Sequence, residues 1–174
     1  MLFRSLGGLS KELGLPQMKL SWLIVNGPAE QVAAAQQRLE VLADTYLSVN
    51  APAQNALPDW LALQPGIAGQ IRGRVAANQR FLETAVAGVP SCAVLRPQGG
   101  WYGIMRIPDS QSEEQWSLTF LKEDQVYVHP GYFFDFEEEA YLILSLLTPE
   151  GIFQQGVGRI LARIARSARG GAVF

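Results

Sequence analysis

Near the C-terminus, Tyr141-Leu142-Ile143-Leu144-Ser145-Leu146-Leu147 carries almost no polar side chain. A strand this apolar has no face to offer to water, which is consistent with a strand covered on both faces. Thr148-Pro149-Glu150 follows directly and reads as a helix start, Thr148 as the N-cap and Pro149 at the first position, where its missing N–H costs nothing. Ile152, Phe153, Val157, Ile160, Leu161 and Ile164 then recur at helical spacing as one buried stripe. Arg163, Arg166 and Arg169 gather toward the end of that helix, where cations favour the dipole, so no basic interaction patch is needed to explain them.

Upstream, Cys92–Leu95 and Trp101–Ile107 read as two strands joined by the turn Arg96-Pro97-Gln98-Gly99-Gly100, a hairpin. Alternation puts Trp101, Gly103, Met105 and Ile107 on one face and Tyr102, Ile104 and Arg106 on the other. Two readings of Arg106 stay open: an edge-strand arginine snorkelling to water, or an arginine holding a carboxylate. Ser110 with Glu113 forms a capping-box pattern opening a helix with Trp116, Phe120 and Leu121 on its apolar side. Gln125–His129 reads as a short strand stopped by Pro130-Gly131. His129 is the only histidine; with no partner carboxylate or cleft in view, it reads as a structural residue rather than a general base. Glu137, Glu138 and Glu139 cannot all face one ion and read as a solvated loop, so no metal site is expected. Cys92 lies in an apolar strand pattern and reads as an inert, buried thiol.

At the other end, Ser5-Leu6-Gly7-Gly8-Leu9-Ser10-Lys11 leads through Gly14-Leu15-Pro16-Gln17-Met18-Lys19 into Trp22-Leu23-Ile24-Val25, an apolar run expected as a buried strand. The glycines would let the backbone turn tightly and approach a bound group. Lys11, between two segments expected to be buried, is either a solvated loop lysine or a partly desolvated amine, activated by desolvation or by Lys19 to attack a carbonyl. Asn26-Gly27-Pro28 stops the strand and opens a helix whose buried face is Val32, Ala35, Leu39, Leu42 and Tyr46. Pro52 closes it. A short helix over Asn55–Leu63, ended by Pro65-Gly66, and a longer one from Ile67 to Gly88-Val89-Pro90 complete the reading; Ile71, Val75, Asn78, Leu82 and Ala85 share a face of the second.

Length and charge bound the rest. A chain of 174 residues buries one good core or one and a half small ones. A net charge of −2 with both signs mixed makes no electrostatic case for nucleic acid or an anionic membrane. No apolar window approaches the ~18 residues of a membrane span, and no signal-peptide order opens the chain. One cysteine cannot form an internal disulfide, so the cytoplasm is the expected compartment.

Ser5 to Pro28 resembles the cofactor-lysine segment of the fold-type I, class I/II aminotransferases that depend on pyridoxal 5'-phosphate (PLP), a pattern of S-x-S-K, a short loop, then R-x-G and a strand. By that resemblance Lys11 is the lysine that holds PLP as a Schiff base and Ser10 the small hydroxyl residue before it. Lys19 stands where the family has an arginine on the cofactor phosphate. Gly8 replaces a phosphate-binding serine and Ser21 the usual glycine; lysine also lacks the bidentate fork of arginine. Asn50-Ala51-Pro52-Ala53-Gln54 resembles the segment that approaches the other subunit's site in these dimers, which makes Ser48 a candidate for the partner's phosphate; a simple interhelix turn is the alternative. Val126–Leu161 resembles the small-domain end, and there Ile143 occupies the place of the arginine that forks onto the substrate carboxylate, leaving Arg106 as the stand-in.

The resemblance implies the C-terminal part of the PLP-dependent transferase large domain, residues 1–64, then a linking helix and an α+β small domain with a short, mostly antiparallel sheet, residues 65–174. It implies amino-group transfer between an amino acid and a 2-oxo acid, and a homodimer as the full-length protein. An aminotransferase-like ligand-sensing domain of a transcription regulator, or a degenerate homologue, is the second reading, and a complete small binding module the third.

Overall fold

The computed structural model describes residues 3–137 and 140–170. Glu138 and Glu139, read above as solvated loop, lie outside the described residues, as does the side chain of Arg169. The chain divides into two compact units, 1–70 and 71–174; the sequence reading placed a boundary near Gln64.

In the first unit, β1 (Phe3–Gly8) leads into a single helical turn, α1 (Leu9–Glu12), a 3-10 turn (Pro16–Met18) and β2 (Ser21–Asn26). β1 and β2 pair antiparallel, with Gly7 opposite Trp22 and Gly8 opposite Ser21. The glycine pair is therefore extended strand and not a tight turn: Gly8 has φ 178. Its purpose is steric room. A Cβ on Gly7 would lie within 2.5 Å of Cε2 of Trp22, whose indole occupies that space. β2 is also not the buried strand expected, since Ile24 is 54% exposed. A two-stranded ribbon leaves both faces near water, and the centre of this unit is formed by residues outside it, Leu9, Leu13, Leu20 and Ala53, with Trp22 of β2, Leu57 and Trp60 packed against them.

α2 (Ala29–Thr45) begins after Pro28. Its expected stripe has the right phase but is covered only over its first half, where Val32, Ala35 and Leu39 are half-buried while Leu42 and Tyr46 stay exposed. Where two helices were expected, α3 (Ala51–Val86) is a single helix with Pro58 and Pro65 inside it. Each proline removes one i→i−4 hydrogen bond. Both are exposed, as are Gln54 and Leu61, whose carbonyls lose a donor, so water can serve those oxygens. Asn50 caps the helix, its Oδ1 accepting from the N–H of Ala53 at 2.8 Å.

The second unit holds β3 (Ala93–Leu95), β4 (Tyr102–Arg106), α4 (Glu113–Asp124), β5 (His129–Pro130), a 3-10 turn (Gly131–Phe134), β6 (Tyr141–Ser145) and α5 (Glu150–Gly170). The sheet order is β3-β4-β6-β5, antiparallel throughout. The expected hairpin is present, with Val94 opposite Met105. Gly103, Met105 and Ile107 are buried as the alternation required, and Leu142, Ile143 and Leu144 are buried on both faces of β6. The core joins Leu82 of α3, Met105, Leu142 and Leu146 to Phe120 of α4 and Ile160 of α5. Trp116 and Phe120 stack at 5.3 Å inside it, and Trp116 Nε1 donates to the carbonyl of Pro108.

Two expectations shift. The capping box of α4 is Ser112 with Gln115, not Ser110 with Glu113. The strand expected over Gln125–His129 shrinks to β5, because Gln125 takes a left-handed C-cap with φ 56 and the N–H of Val126 still bonds to the carbonyl of Phe120, ending α4. Asp124 then joins α4 to α5, accepting from Arg163 at 2.8 and 3.0 Å.

Candidate active site

The segment carrying Lys11 is a loop closed on itself. The N–H of Leu9 donates to the carbonyl of Leu20 at 3.0 Å, and the N–H groups of Leu13 and Leu15 both return to the carbonyl of Leu9. Lys11 lies two residues inside one end of this closure and Lys19 directly before the other. Leu9 is fully buried, and Leu13, one helical turn on, is buried with it. Two residues along a helix is roughly 200° around its axis. Lys11 is thereby turned away from Leu9 and is exposed; Ser10 is half-buried. Of the two sequence readings of Lys11, the exposed residue seen here agrees with the loop lysine, beside apolar neighbours that bury themselves.

Lys19 ends the 3-10 turn in a left-handed conformation, φ 50, and is exposed too. Ser48 is exposed on a broad groove of ≈ 590 Å³ shared with Ser21, Trp22, Glu40, Asp44 and Gln54; neither Lys11 nor Lys19 lines it. In this chain Ser10, Lys11 and Lys19 all lie within the closed loop from Leu9 to Leu20, and the groove that carries Ser48 is also lined by Leu20 at the loop's end.

In the second unit, cross-strand pairing puts Arg106 with Tyr141, Ile104 with Ile143 and His129 with Ile143 on one sheet face. Ile143 is 3% exposed and Arg106 is exposed. Arg106 is the diagonal neighbour of Ile143, about 7–8 Å away for an ideal antiparallel pair, which a guanidinium can span. His129 is held among rings, 5.0 Å from Tyr127 and 5.9 Å from Phe133. No cluster of three metal-ligating side chains occurs among the described residues, and no helix among them is long and apolar enough to cross a membrane.

Two buried polar residues have roles that the sequence reading did not give them, Asn78 having been placed only on a helix face and Glu113 only in a capping box. Asn78 is fully buried and donates through Nδ2 to the carbonyls of Leu146 and Thr148. Glu113 is buried and accepts from two backbone N–H groups. The one sequence signal was Asn78 standing in an apolar helical stripe, because a polar residue there needs a partner.

Comparison with known proteins agrees with this architecture. Over 153 residues the chain is 26% identical to an alanine aminotransferase of Mycobacterium bovis, covering 84% of this chain and 36% of that protein. It is 25% identical over 134 residues to the glutamate-pyruvate aminotransferase AlaA of Escherichia coli K12, covering 74% of this chain and 33% of the relative. Among solved structures, the alanine aminotransferase of Pyrococcus furiosus superposes with a TM-score of 0.81 at 18% identity, covering 95% of this chain and 43% of that one. The aspartate aminotransferase of Thermotoga maritima gives 0.74 at 19%, covering 93% and 40%. At these identities the structures establish the fold, an α/β arrangement corresponding to the C-terminal region of such enzymes. The chain spans little more than a third of the mycobacterial relative's length. With the family model for aminotransferase class I and II matching residues 4–153, the chain belongs to that family.

Proposed function

We propose that this chain is the C-terminal part of a PLP-dependent aminotransferase subunit that transfers an amino group between an amino acid and a 2-oxo acid. The observation that carries the reading is the closed loop from Leu9 to Leu20, which presents an amine, a hydroxyl and a second cation from one tied segment inside the family match. That donor set suits the cofactor: an amine for its aldehyde carbon, an ammonium and hydroxyls for its phosphate. When bound, PLP supplies the electron sink for carbanion chemistry.

Lys11 would hold the cofactor through its amine and would serve as the proton carrier. Lys19 neutralises the phosphate as a point charge, without the fixed fork an arginine would bring. Ser10 adds a hydroxyl beside it, and Ser48 reaches the phosphate of the partner's site in a homodimer. Arg106 meets the substrate carboxylate from beside Ile143. The transfer is assigned to the full-length protein, since the chain corresponds to about a third of its curated relatives. Those relatives are named for alanine and for glutamate and pyruvate, which makes small amino acids and their 2-oxo acids the first substrates to try. A cytoplasmic location goes with the reading. The additional length that the relatives carry is what would bury Lys11.

A second reading, an aminotransferase-like sensor or a non-catalytic homologue, is favoured by one observation: the position matched to the carboxylate-binding arginine is a buried isoleucine. Borohydride reduction of the full-length protein with PLP, followed by peptide mapping, separates the cases when combined with transfer of ¹⁵N from L-alanine to 2-oxoglutarate. A label on Lys11 with transfer is the expected result. A label on Lys11 without transfer selects the sensor, and a label on another lysine, or none, refutes both.

A further inference from the structure

The sequence reading gave Glu113 only the part of a capping-box partner to Ser110, a place that Gln115 and Ser112 take instead. Glu113 is 2% exposed, with Oε1 accepting from the N–H of Tyr141 at 2.7 Å and Oε2 from the N–H of Tyr132 at 2.9 Å. One carboxylate thus joins three elements: the start of α4, the aromatic 3-10 turn Gly131–Phe134 and the first residue of β6. The backbone is shaped to admit it. A Cβ on Gly131 would lie 2.8 Å from Oε1 of Glu113 and 2.9 Å from Cβ of Tyr141, so this approach requires a bare glycine.

The turn that Glu113 holds contributes little to the core. Tyr132 and Phe133 remain 49% and 60% exposed. Phe134 instead stands edge-on to Tyr102 at 5.3 Å, and Phe133 lies perpendicular to His129 at 5.9 Å. Apolar burial is therefore too slight to fix these rings, while a desolvated carboxylate with two charge-assisted bonds is strong and directional. Tyr141, its other partner, is cross-strand from Arg106.

We infer that Glu113 is the positioning residue for the aromatic turn: it sets where Tyr132, Phe133 and Phe134 stand over the sheet face that carries His129 and Arg106. This holds whatever chemistry Lys11 performs. It differs from a general stabilising role because its loss should displace the turn while the sheet keeps its core.

His129 is the only histidine, so its ring protons give one unambiguous NMR signal that senses the currents of Phe133 and Phe134. In the full chain, Glu113→Ala should move that signal toward its value in an unstructured peptide and speed amide exchange at Tyr132 by about tenfold or more. The amides of Leu142 and Leu144 should keep their protection. Glu113→Gln retains one acceptor and should free Tyr132 more than Tyr141, with a smaller shift of the histidine signal. An unchanged His129 signal in a folded Glu113→Ala chain overturns the assignment. So does exchange accelerating equally at Leu142, Leu144 and Tyr132, which would mark a purely global role. If the alanine variant does not fold, the glutamine variant decides by the same two readouts.

Discussion

Replacing Asn78 with leucine probes the corner between β6 and α5. Asn78 is fully buried on α3, and its Nδ2 donates to the carbonyl of Leu146 at 2.9 Å and to that of Thr148 at 2.8 Å. Leucine has the same branching of side-chain heavy atoms with somewhat bulkier methyl groups, so the change leaves no cavity and removes the two donors together with Oδ1. Each such bond contributes about 0.5–1.5 kcal/mol net, and a buried acceptor left without a donor costs about 1–3 kcal/mol. Oδ1 of Asn78 has no partner among the described residues, so its removal returns part of this. The balance is a loss of about 2–4 kcal/mol. With a urea slope of about 2 kcal/mol/M, the midpoint should fall by roughly 1–2 M. The assay is Trp116 and Trp101 fluorescence in a Trp22→Phe/Trp60→Phe background, which restricts the signal to the second unit. Asn78→Asp adds a sign. A buried carboxylate facing two carbonyls favours its protonated form, so the folded-state pKa rises above the unfolded value. Its stability is then fullest below about pH 3.9 and is lost as pH rises through the folded-state value. A midpoint for Asn78→Leu within about 0.2 M of the parent would mean the amide does not hold that corner, and the argument fails.

Two further predictions test separate parts of the fold. Gly7→Ala drives a methyl group into the Trp22 ring, and overpacking of this kind costs about 1–3 kcal/mol; the first unit should unfold at lower urea with a red-shifted Trp22 emission, and unchanged stability would refute the packing of β1 on that indole. Burial pushes the Cys92 thiol above its ordinary value of 9.0, with a weaker opposing hydrogen bond from Ser91. That favourable contribution is intact below about pH 9 and is lost as pH climbs through the folded-state value. Stability should therefore be insensitive to Cys92→Ser between pH 6 and 8 apart from a constant offset, and alkylation at pH 8 should run slower than in the urea-unfolded chain; equal alkylation rates would refute the burial.

The elements read correctly from sequence were those whose signals are local. The hairpin of β3 and β4 was fixed by alternation and a glycine turn, and α5 by an apolar stripe that meets its core at Phe153, Val157, Ile160 and Ile164. That helix nevertheless starts at Glu150 with Pro149, whose carbonyl accepts from the N–H of Phe153, at the cap position expected for Thr148. Local signals misled where tertiary context overrode them. Pro58 and Pro65 suggested a break, yet their exposed positions let one helix run through both. Gly7 and Gly8 suggested a turn, whereas the indole opposite them required extended, bare backbone.

The linear pattern by itself determined the hairpin, the last helix and the order in which a hydroxyl, an amine and a second cation follow one another at Ser10, Lys11 and Lys19. Those depend on side-chain period and on neighbours a few residues away. Only the folded chain decided that Lys11 faces water, that Glu113 lies inside and that Asn78 bonds to the strand end. Each of those depends on groups far along the chain: the N–H of Tyr141 reaches Glu113 across 28 positions and the carbonyl of Thr148 reaches Asn78 across 70. Whether a polar group is buried is decided by the partner that compensates its lost hydration, and that partner is brought near only when the chain folds.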